Sequence, residues 1–198
     1  MKYLRPALAL IVLFTLLTGI TFPLVFVGIG QAAIPRLAGG SLIEKNGTVV
    51  GSALLGQNFT KDEYFHGRPS ATTDTDPADS TKTVPAPFNA QNSAGSNAGP
   101  TSQALIDRVT ADVKTEVAAG GNTPVPGDML TTSASGLDPH ISPATAERQV
   151  TRVAGARKLP EAQVRTLVAG ATSGRLLGLI GEPRVDVLAL NLALDASQ

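Results

Sequence analysis

The sequence contains no cysteine, no tryptophan and only two histidines. Without cysteine, disulfide frameworks, zinc knuckles, iron–sulfur ligation and thiol nucleophiles are excluded. Two histidines without cysteine partners do not predict a transition-metal site. An aromatic content of 4% offers little for base stacking, and 16 basic residues against 16 acidic ones leave no charge excess. We therefore expect no metal site and no nucleic-acid partner.

A long uncharged stretch occupies the N-terminal part of the chain, with no charged side chain between Arg5 and Arg36. About 20 apolar residues at about 1.5 Å each cross a hydrocarbon core of about 30 Å, so residues 8–29 are long enough to span a membrane. A cleaved signal peptide is the alternative, but its apolar region usually runs about 7–15 residues. We predict an uncleaved anchor within residues 1–35 and a second domain over residues 36–198.

Basic residues flank the uncharged stretch unevenly. Lys2 and Arg5 precede it, whereas Arg36 and Lys45 follow it at wider spacing and near acidic residues. Positive charge near a membrane span favours the cytoplasmic side. We therefore expect one membrane pass, with the N-terminus in the cytoplasm and the C-terminal domain outside it.

Three residues recur every four positions within the predicted span: Thr15, Gly19 and Pro23. This spacing places small or flat side chains on one helix face, where a partner helix can approach closely. Pro23 also removes the amide that would bond to the Gly19 carbonyl, so we expect a kink or an outside donor there. The alternative is that these residue types are simply common in membrane helices.

The chain after the anchor begins with strand signals and then becomes polar. Asn46-Gly47 lies between two β-favouring runs and predicts a hairpin with a type I′ turn. Residues 68–101 are rich in Pro, Ser, Thr, Asn, Asp and Gly, which predicts a long irregular loop. A loop of this length is typical of a functional or docking segment, or of local disorder.

Three helices and a closing strand are predicted in the remainder. Their apolar residues recur at helical spacing, and hydroxyl caps, prolines and glycines mark the ends. The predicted starts are Thr101 or Ser102, Ser142 and Pro160, and the predicted ends are Gly120-Gly121 and Gly170. Alternating leucines predict a strand over residues 185–194. These elements predict an α+β fold with a single mixed domain after the membrane helix.

Serine, aspartate and histidine occur together in the run Leu130–Pro143, which raises the question of a hydrolase using Ser135, Asp138 and His140. Triads are assembled from residues distant in sequence, and the chain has no G-x-S-x-G elbow. The structural interpretation is that Asp138 and Ser142 accept hydrogen bonds from backbone amides in a turn before a helix. In that case His140 makes a polar contact. Docking of a partner is the other interpretation.

Arg68 follows two adjacent aromatic residues, Tyr64 and Phe65. Alternation predicts one ring in the core and one near the surface, and the guanidinium is suited to pairing with a carboxylate. Anchoring to the core and ligand binding both remain open for this segment. No G-x-x-x-x-G-K-[ST] phosphate loop occurs in the sequence.

Long motifs occur in order along essentially the whole chain. Besides the N-terminal anchor, they are Tyr64-Phe65 with Arg68-Pro69-Ser70-Ala71, Gly99-Pro100-Thr101, the run from Thr131 through Ser142-Pro143, Arg152-Val153-Ala154 with Ala156-Arg157, and the tail from Gly181-Glu182-Pro183 to Leu194. Together they resemble the KdpC family, the C subunit of the bacterial potassium-transporting P-type ATPase. Ser102 and Asp186 stand where the family usually has Asn.

The resemblance implies a non-catalytic accessory subunit in the bacterial cytoplasmic membrane. It implies as partners a KdpA-like potassium-selecting subunit, a KdpB-like ATP-hydrolysing subunit, a small KdpF-like subunit and the lipid bilayer. The family is also described as ATP-binding, so ATP is implied for the complex. Because the charge bias places the domain outside the cytoplasm, we expect no directly bound cofactor and an effect on nucleotide affinity that passes through the membrane helices.

Seven residues are candidates for the partner interface: Thr15, Gly19, Pro23, Arg68, Asp138, His140 and Ser142. Two other interpretations remain. One is a free-standing, membrane-anchored envelope binding protein, and the other is a membrane-anchored hydrolase.

Overall fold

The computed structural model describes residues 2–119 and 124–197. The chain divides into two compact units, Met1–Ser52 and Ala53–Gln198.

The first unit begins with one continuous apolar helix, Leu4–Ala33. It consists of α1 (Leu4–Leu16), a π-helical turn (Leu17–Thr21) and α2 (Phe22–Ala33). The helix has 30 residues, and by length and composition it can cross a membrane. None of the residues in its most apolar stretch is buried by the rest of the chain. The prediction of an apolar helix of spanning length is confirmed, and the helix extends beyond residues 8–29 at both ends.

The π-helical turn lies directly before Pro23 and has a physical cause in that proline. Pro23 has no N–H to donate to the Gly19 carbonyl, and in a regular α-helix its ring would clash with that carbonyl. The helix therefore makes a wider, π-helical turn here, in which the Phe22 N–H donates to the Leu17 carbonyl five residues back instead of four. The irregularity expected around Pro23 is therefore present as a π turn.

The first unit ends with a short helix and a hairpin. Helix α3 is Pro35–Ala38, and strands β1 (Leu42–Lys45) and β2 (Thr48–Ser52) pair antiparallel. Asn46 and Gly47 join them with φ angles of 54° and 75°, the positive values that a type I′ turn requires. The predicted hairpin is confirmed.

The polar stretch 68–101 is not irregular throughout, as the sequence had suggested. It contains an antiparallel hairpin of β3 (Thr73–Asp76) and β4 (Asp79–Pro85). No residue of either strand is buried, so the hydrophobic alternation that marks a half-buried strand is missing. The β-branched threonines and the Asp76–Asp79 turn were the available signals. The residues between β4 and residue 101 lie in turns and irregular backbone, as predicted.

Helices α4 (Gln103–Ala118) and α5 (Gly127–Leu130) follow. The Ser102 hydroxyl accepts a hydrogen bond from the Leu105 N–H, which confirms one of the two predicted caps. The predicted stop at Gly120-Gly121 lies outside the described residues. No residue of α4 is fully buried: Leu105, Val109 and Val113 on its apolar side are half-buried, and Val117 is 53% exposed.

The two helices that the sequence predicts after Ser142 and Pro160 are both present. After strand β5 (His140–Ile141), α6 (Pro143–Arg157) begins with the Ser142 hydroxyl accepting from the Thr145 N–H. Helix α7 (Glu161–Gly170) follows Pro160, and strand β6 is Thr172–Ser173. The apolar residues predicted to face inward on α6 are buried, and on α7 two are buried while Leu167 is partly buried against the core.

The predicted closing strand over residues 185–194 is wrong. Only β7 (Arg184–Asp186) is extended, and α8 (Val187–Ala196) follows at once. The Asp186 carboxylate accepts a hydrogen bond from the Ala189 N–H and caps the helix. The buried side chains of α8 include Val187, Leu190 and Leu194, which recur at helical spacing, and the leucine and alanine content favours a helix.

The core of the second unit lies between a small sheet and three helices. The sheet has the antiparallel order β5–β7–β6, and α6, α7 and α8 supply most of the buried side chains. Phe65 lies fully buried among them, whereas Tyr64 is half-buried, which confirms the predicted inward and outward rings. The unit is a mixed helix and strand fold, as predicted.

Candidate functional site

The three candidate residues of the apolar helix lie about one turn apart in successive segments. Thr15 belongs to α1, Gly19 to the π turn and Pro23 to α2. All three are exposed, and a Cβ added at Gly19 would meet no other atom of the chain within 4 Å. This part of the helix therefore has no packing partner among the described residues of its own chain.

Arg68 connects an irregular segment to the loop that precedes β5. Its Nη1 donates to the Asp138 carboxylate at 3.1 Å, and its Nη2 lies 3.4 Å from the carbonyl oxygens of Thr131 and Thr132. The Arg68 Nε is buried without a hydrogen-bond partner in the structure described. Arg68 and Asp138 side chains are both largely shielded from water, at 25% and 28% exposure, so this ion pair holds two chain segments together.

The second carboxylate oxygen of Asp138 stabilises the turn that leads into β5. Its Oδ1 accepts a hydrogen bond from the His140 N–H at 3.0 Å, and the His140 Nδ1 lies 3.7 Å from the same oxygen. The predicted turn, with His140 beside a polar group, is confirmed. The structure thus brings Arg68, Asp138 and His140 together.

Ser142 belongs to a separate hydrogen-bond cluster built around Asp128. The Asp128 carboxylate accepts from the Ser142 N–H at 2.7 Å, the Ser142 hydroxyl at 3.0 Å and the Thr145 hydroxyl at 2.7 Å. Burial raises the pKa of Asp128, but these hydrogen bonds outweigh burial and lower the pKa below its ordinary value. Sequence reasoning missed Asp128, because no local pattern links it to a cap 14 residues away.

The hydrolase interpretation finds no support in the arrangement around Ser135. The Ser135 hydroxyl accepts from the Leu137 N–H at 3.1 Å, which is a local turn contact. Within the described residues, no hydrogen bond joins Ser135 to His140. The Asp138 and His140 side chains lie 3.7 Å apart, beyond the 2.6–3.2 Å reach expected for a base and its orienting group.

A second feature that sequence reasoning missed is the way the segment Asp62–His66 is held. Two buried amide side chains each bond both backbone groups of one residue. Asn191 of α8 accepts from the Phe65 N–H at 2.9 Å and donates to the Phe65 carbonyl at 3.0 Å. Gln149 of α6 does the same with His66, at 2.8 and 3.1 Å. The two amide side chains thus bond the N–H and carbonyl groups of Phe65 and His66, the groups that a neighbouring β-strand would otherwise bond.

Two arginines complete the attachment of this segment. Arg152 donates to the carbonyls of Asp62 and Tyr64, and Arg157 donates to the carbonyl of Glu63. Arg157 also pairs with Asp195 at 2.8 Å. Because these guanidinium groups are engaged with the backbone, their main effect is structural.

A cleft of about 760 Å³ lies beside this segment, and its lining includes His66, Arg68, Arg148 and Arg152. Burial, and then the nearby Arg152 guanidinium, lower the pKa of His66 below its ordinary value. The His66 ring is therefore neutral at pH 7, with Nε2 3.1 Å from the Lys61 carbonyl. Among the described residues, no three carboxylates or histidines gather as a metal site.

These observations define a class of protein. In the part of the chain that the structure describes, one helix of membrane-spanning length without a packing partner precedes a small α+β unit, and polar side-chain clusters hold the loops of that unit in place. The chain belongs to the KdpC family. The family model described as "KdpC: K+-transporting ATPase, c chain" matches residues 4–196. The chain is thus an accessory subunit of a potassium-transporting ATPase.

Several relatives match this chain over nearly their whole length. A potassium-transporting ATPase KdpC subunit of Rhodopseudomonas palustris is 59% identical over 198 residues, which is 100% of both chains. Those of Methylobacterium nodulans and Bradyrhizobium diazoefficiens are each 60% identical over 195 residues, covering 98% of this chain and 97% of theirs.

Proposed function

We propose that this chain stabilises the assembly of a high-affinity ATP-driven potassium uptake pump. In this account its partners are a KdpA-like potassium-selecting subunit, a KdpB-like ATP-hydrolysing subunit and a small KdpF-like subunit. The chain supports their activity without catalysing a reaction. The observation that carries the proposal is an apolar 30-residue helix whose most apolar stretch is not buried by any described part of the chain.

The membrane contact of this subunit is the face around Gly19. With no Cβ at Gly19 and no neighbour within 4 Å, a helix of another subunit can approach the backbone closely. Pro23 has no N–H to donate to the Gly19 carbonyl, and a polar group of a partner helix is suited to bonding that carbonyl. Thr15 supplies a hydroxyl on the same side.

The folded unit lies outside the cytoplasm in this account and caps the potassium-selecting subunit near the ion entrance. The bias of Lys2 and Arg5 toward the N-terminal side of the span supports this orientation. Arg68 and Asp138 hold the turn that leads into β5, where His140 has a side chain that is 32% exposed and therefore available for a polar contact. Ser142 contributes indirectly, by fixing the start of α6.

ATP acts on this subunit only through the complex. The span separates the folded unit from the cytoplasmic nucleotide, so any effect on nucleotide affinity is a coupling free energy transmitted by the membrane helices. No cofactor is bound directly by the chain in this account.

Co-purification tests the proposal. All pump subunits are expressed together, the ATP-hydrolysing subunit carries an affinity tag, and the complex is extracted in mild detergent. We expect this chain to be recovered with the tagged subunit in a constant ratio. Recovery of this chain by itself, with none bound to the tagged subunit, would refute the assembly role and favour a free-standing envelope protein.

A further inference from the structure

The connection between β6 and β7 carries four exposed aliphatic side chains. Leu176, Leu177, Leu179 and Ile180 are 66%, 85%, 83% and 64% exposed. Among the described residues, no large apolar side chain is more exposed than Leu177 and Leu179. We call residues 174–181 the aliphatic loop. Its apolar side chains face solvent, whereas the core side chains of the same unit are buried.

The aliphatic loop has a defined shape. The Leu176 N–H donates to the Ile180 carbonyl at 2.8 Å, and the Ile180 N–H donates to the Leu176 carbonyl at 3.0 Å. At its base, the Arg175 guanidinium donates to both oxygens of the Glu182 carboxylate. The loop is therefore closed by the Leu176–Ile180 backbone pair and by the Arg175–Glu182 pair at its base. Both pairs fix the backbone that carries the exposed side chains.

The backbone of the aliphatic loop is strained at Leu177. Leu177 has a φ of 53°, in the left-handed region that is unfavourable for a residue with a Cβ. The next residue, Gly178, has a φ of 75°. An exposed leucine in a strained conformation has no stabilising role within the chain, which indicates a contact made outside it.

The chemistry of the aliphatic loop distinguishes between possible occupants. Elements that bind lipid surfaces combine apolar residues with aromatic anchors or unpaired cations. This loop has no aromatic residue, and its only cation, Arg175, is paired with Glu182. A stable dimer buries about 800 Å² on each partner, whereas an apolar patch of this kind offers only a few hundred Å². A lipid surface and a second copy of the chain therefore both fit poorly.

We propose that the aliphatic loop docks into an uncharged, apolar recess on the extramembrane surface of another subunit of the pump. The inference rests on the proposed assembly function, because the membrane helix supplies the first attachment. Once the membrane helix is bound, a second contact with the same pump forms at a high effective concentration. A small apolar anchor is therefore sufficient for that contact. The charged rim of Arg175 and Glu182 around an apolar centre is typical of such anchors.

Photocrosslinking identifies the occupant. A benzophenone amino acid replaces Leu177 in the assembled pump, and a second sample carries it at Val117, which is also exposed but lies on α4. We expect a covalent adduct between position 177 and another pump subunit, and a much weaker one from position 117. An adduct only with lipid, an adduct with a second copy of this chain, or no adduct from a complex that has assembled would each overturn the proposal.

A charge introduced into the loop tests its contribution to binding. The double variant Leu177→Asp with Leu179→Asp should lower the recovery of this chain with the tagged ATP-hydrolysing subunit about tenfold, because two anchoring side chains are lost. The variant Leu177→Met with Leu179→Met keeps the apolar surface and should assemble normally, as should Val117→Asp. Thermal unfolding of the isolated full chain in detergent should be unchanged in all three.

The outcomes separate this inference from the assembly function. If the unmodified chain co-purifies and the aspartate variant co-purifies equally well, the docking role of the loop is refuted while the assembly role stands. If the unmodified chain itself fails to co-purify, the assembly role is refuted as well.

Discussion

At the residue scale, long-range side-chain contacts with backbone groups organise the folded unit. Asn191 and Gln149 lie 126 and 83 residues from the segment that they hold. A sequence pattern detects neighbours on one element, so Asp138 and Ser142 were predicted as turn and cap residues. It does not detect a side chain on one helix that bonds residues far away in the sequence, which is why Asn191, Gln149 and Asp128 were missed.

Removing the Asn191 amide should destabilise the fold. Asn191 is 1% exposed, and Asn191→Ala leaves the Phe65 N–H and carbonyl buried without partners. We expect a loss of about 2–4 kcal/mol in the free energy of unfolding, measured by urea denaturation of the full chain in detergent. Ala189→Ser on the exposed side of the same helix is the control and should change stability little. A loss below about 0.5 kcal/mol for Asn191→Ala would contradict the account.

The lowered pKa of His66 predicts an acid-sensitive stability. The charged groups around the ring are Arg152, Asp62 and Glu116, and the Lys61 carbonyl accepts from its Nε2. Because the folded state binds the proton less readily than the unfolded state, this contribution is complete above the ordinary pKa of 6.5 and is lost as the pH falls toward the folded pKa.

Thermal unfolding across pH 7.5 to 5 measures this dependence. The unmodified chain should lose stability below about pH 6.5, and His66→Gln should lose less over the same interval, because glutamine does not titrate. An identical pH dependence in both proteins would show that His66 is not the responsible group.

At the scale of elements, the sequence predicted those segments whose periodicity and caps agree. The Asn46-Gly47 hairpin and the helix after Ser142 are examples, because both have strong local turn or cap chemistry. The segment 185–194 was predicted wrongly, because its alternating leucines satisfy a period of two as well as a helical period. The cap at Asp186 decides between them. The hairpin of β3 and β4 escaped prediction because none of its residues is buried.

The cap at Asp186 can be tested directly. Asp186→Ala removes the acceptor for the Ala189 N–H and should cost about 1 kcal/mol in the free energy of unfolding. Asp186→Asn keeps an acceptor of the same shape and should be close to neutral. Equal losses in the two variants would mean that capping is not what the side chain contributes.

Crowding the helix face at Gly19 should weaken assembly without changing the isolated chain. Gly19→Leu adds a side chain where the chain itself has no neighbour, so only a contact with another helix can be disturbed. We expect about tenfold lower co-purification with the tagged ATP-hydrolysing subunit, which corresponds to about 1.4 kcal/mol. Gly28→Leu is the matched control, since Gly28 also has no neighbour within 4 Å and lies outside the four-residue spacing. Equal recovery of both variants would count against this face.

At the scale of the whole molecule, the chain combines an apolar helix that its described residues leave unpacked with a small folded unit. The polar side-chain clusters of that unit fix its own loops by hydrogen bonds. This combination fits a subunit that is held by other proteins. The family and the mixed fold were accessible from the sequence, because long motifs run through the whole chain. The predicted orientation across the membrane rests on a few basic residues near the span. The proposed function depends on this orientation.

Protease accessibility in sealed, right-side-out membrane vesicles tests this predicted orientation most directly. The chain carries a C-terminal tag, and its full mass is checked first to show that the helix is uncleaved. We predict that protease added outside digests the folded unit and removes the tag in intact vesicles. Protection of the tag until the vesicles are opened, or a mature chain that lacks the apolar helix, would contradict the account.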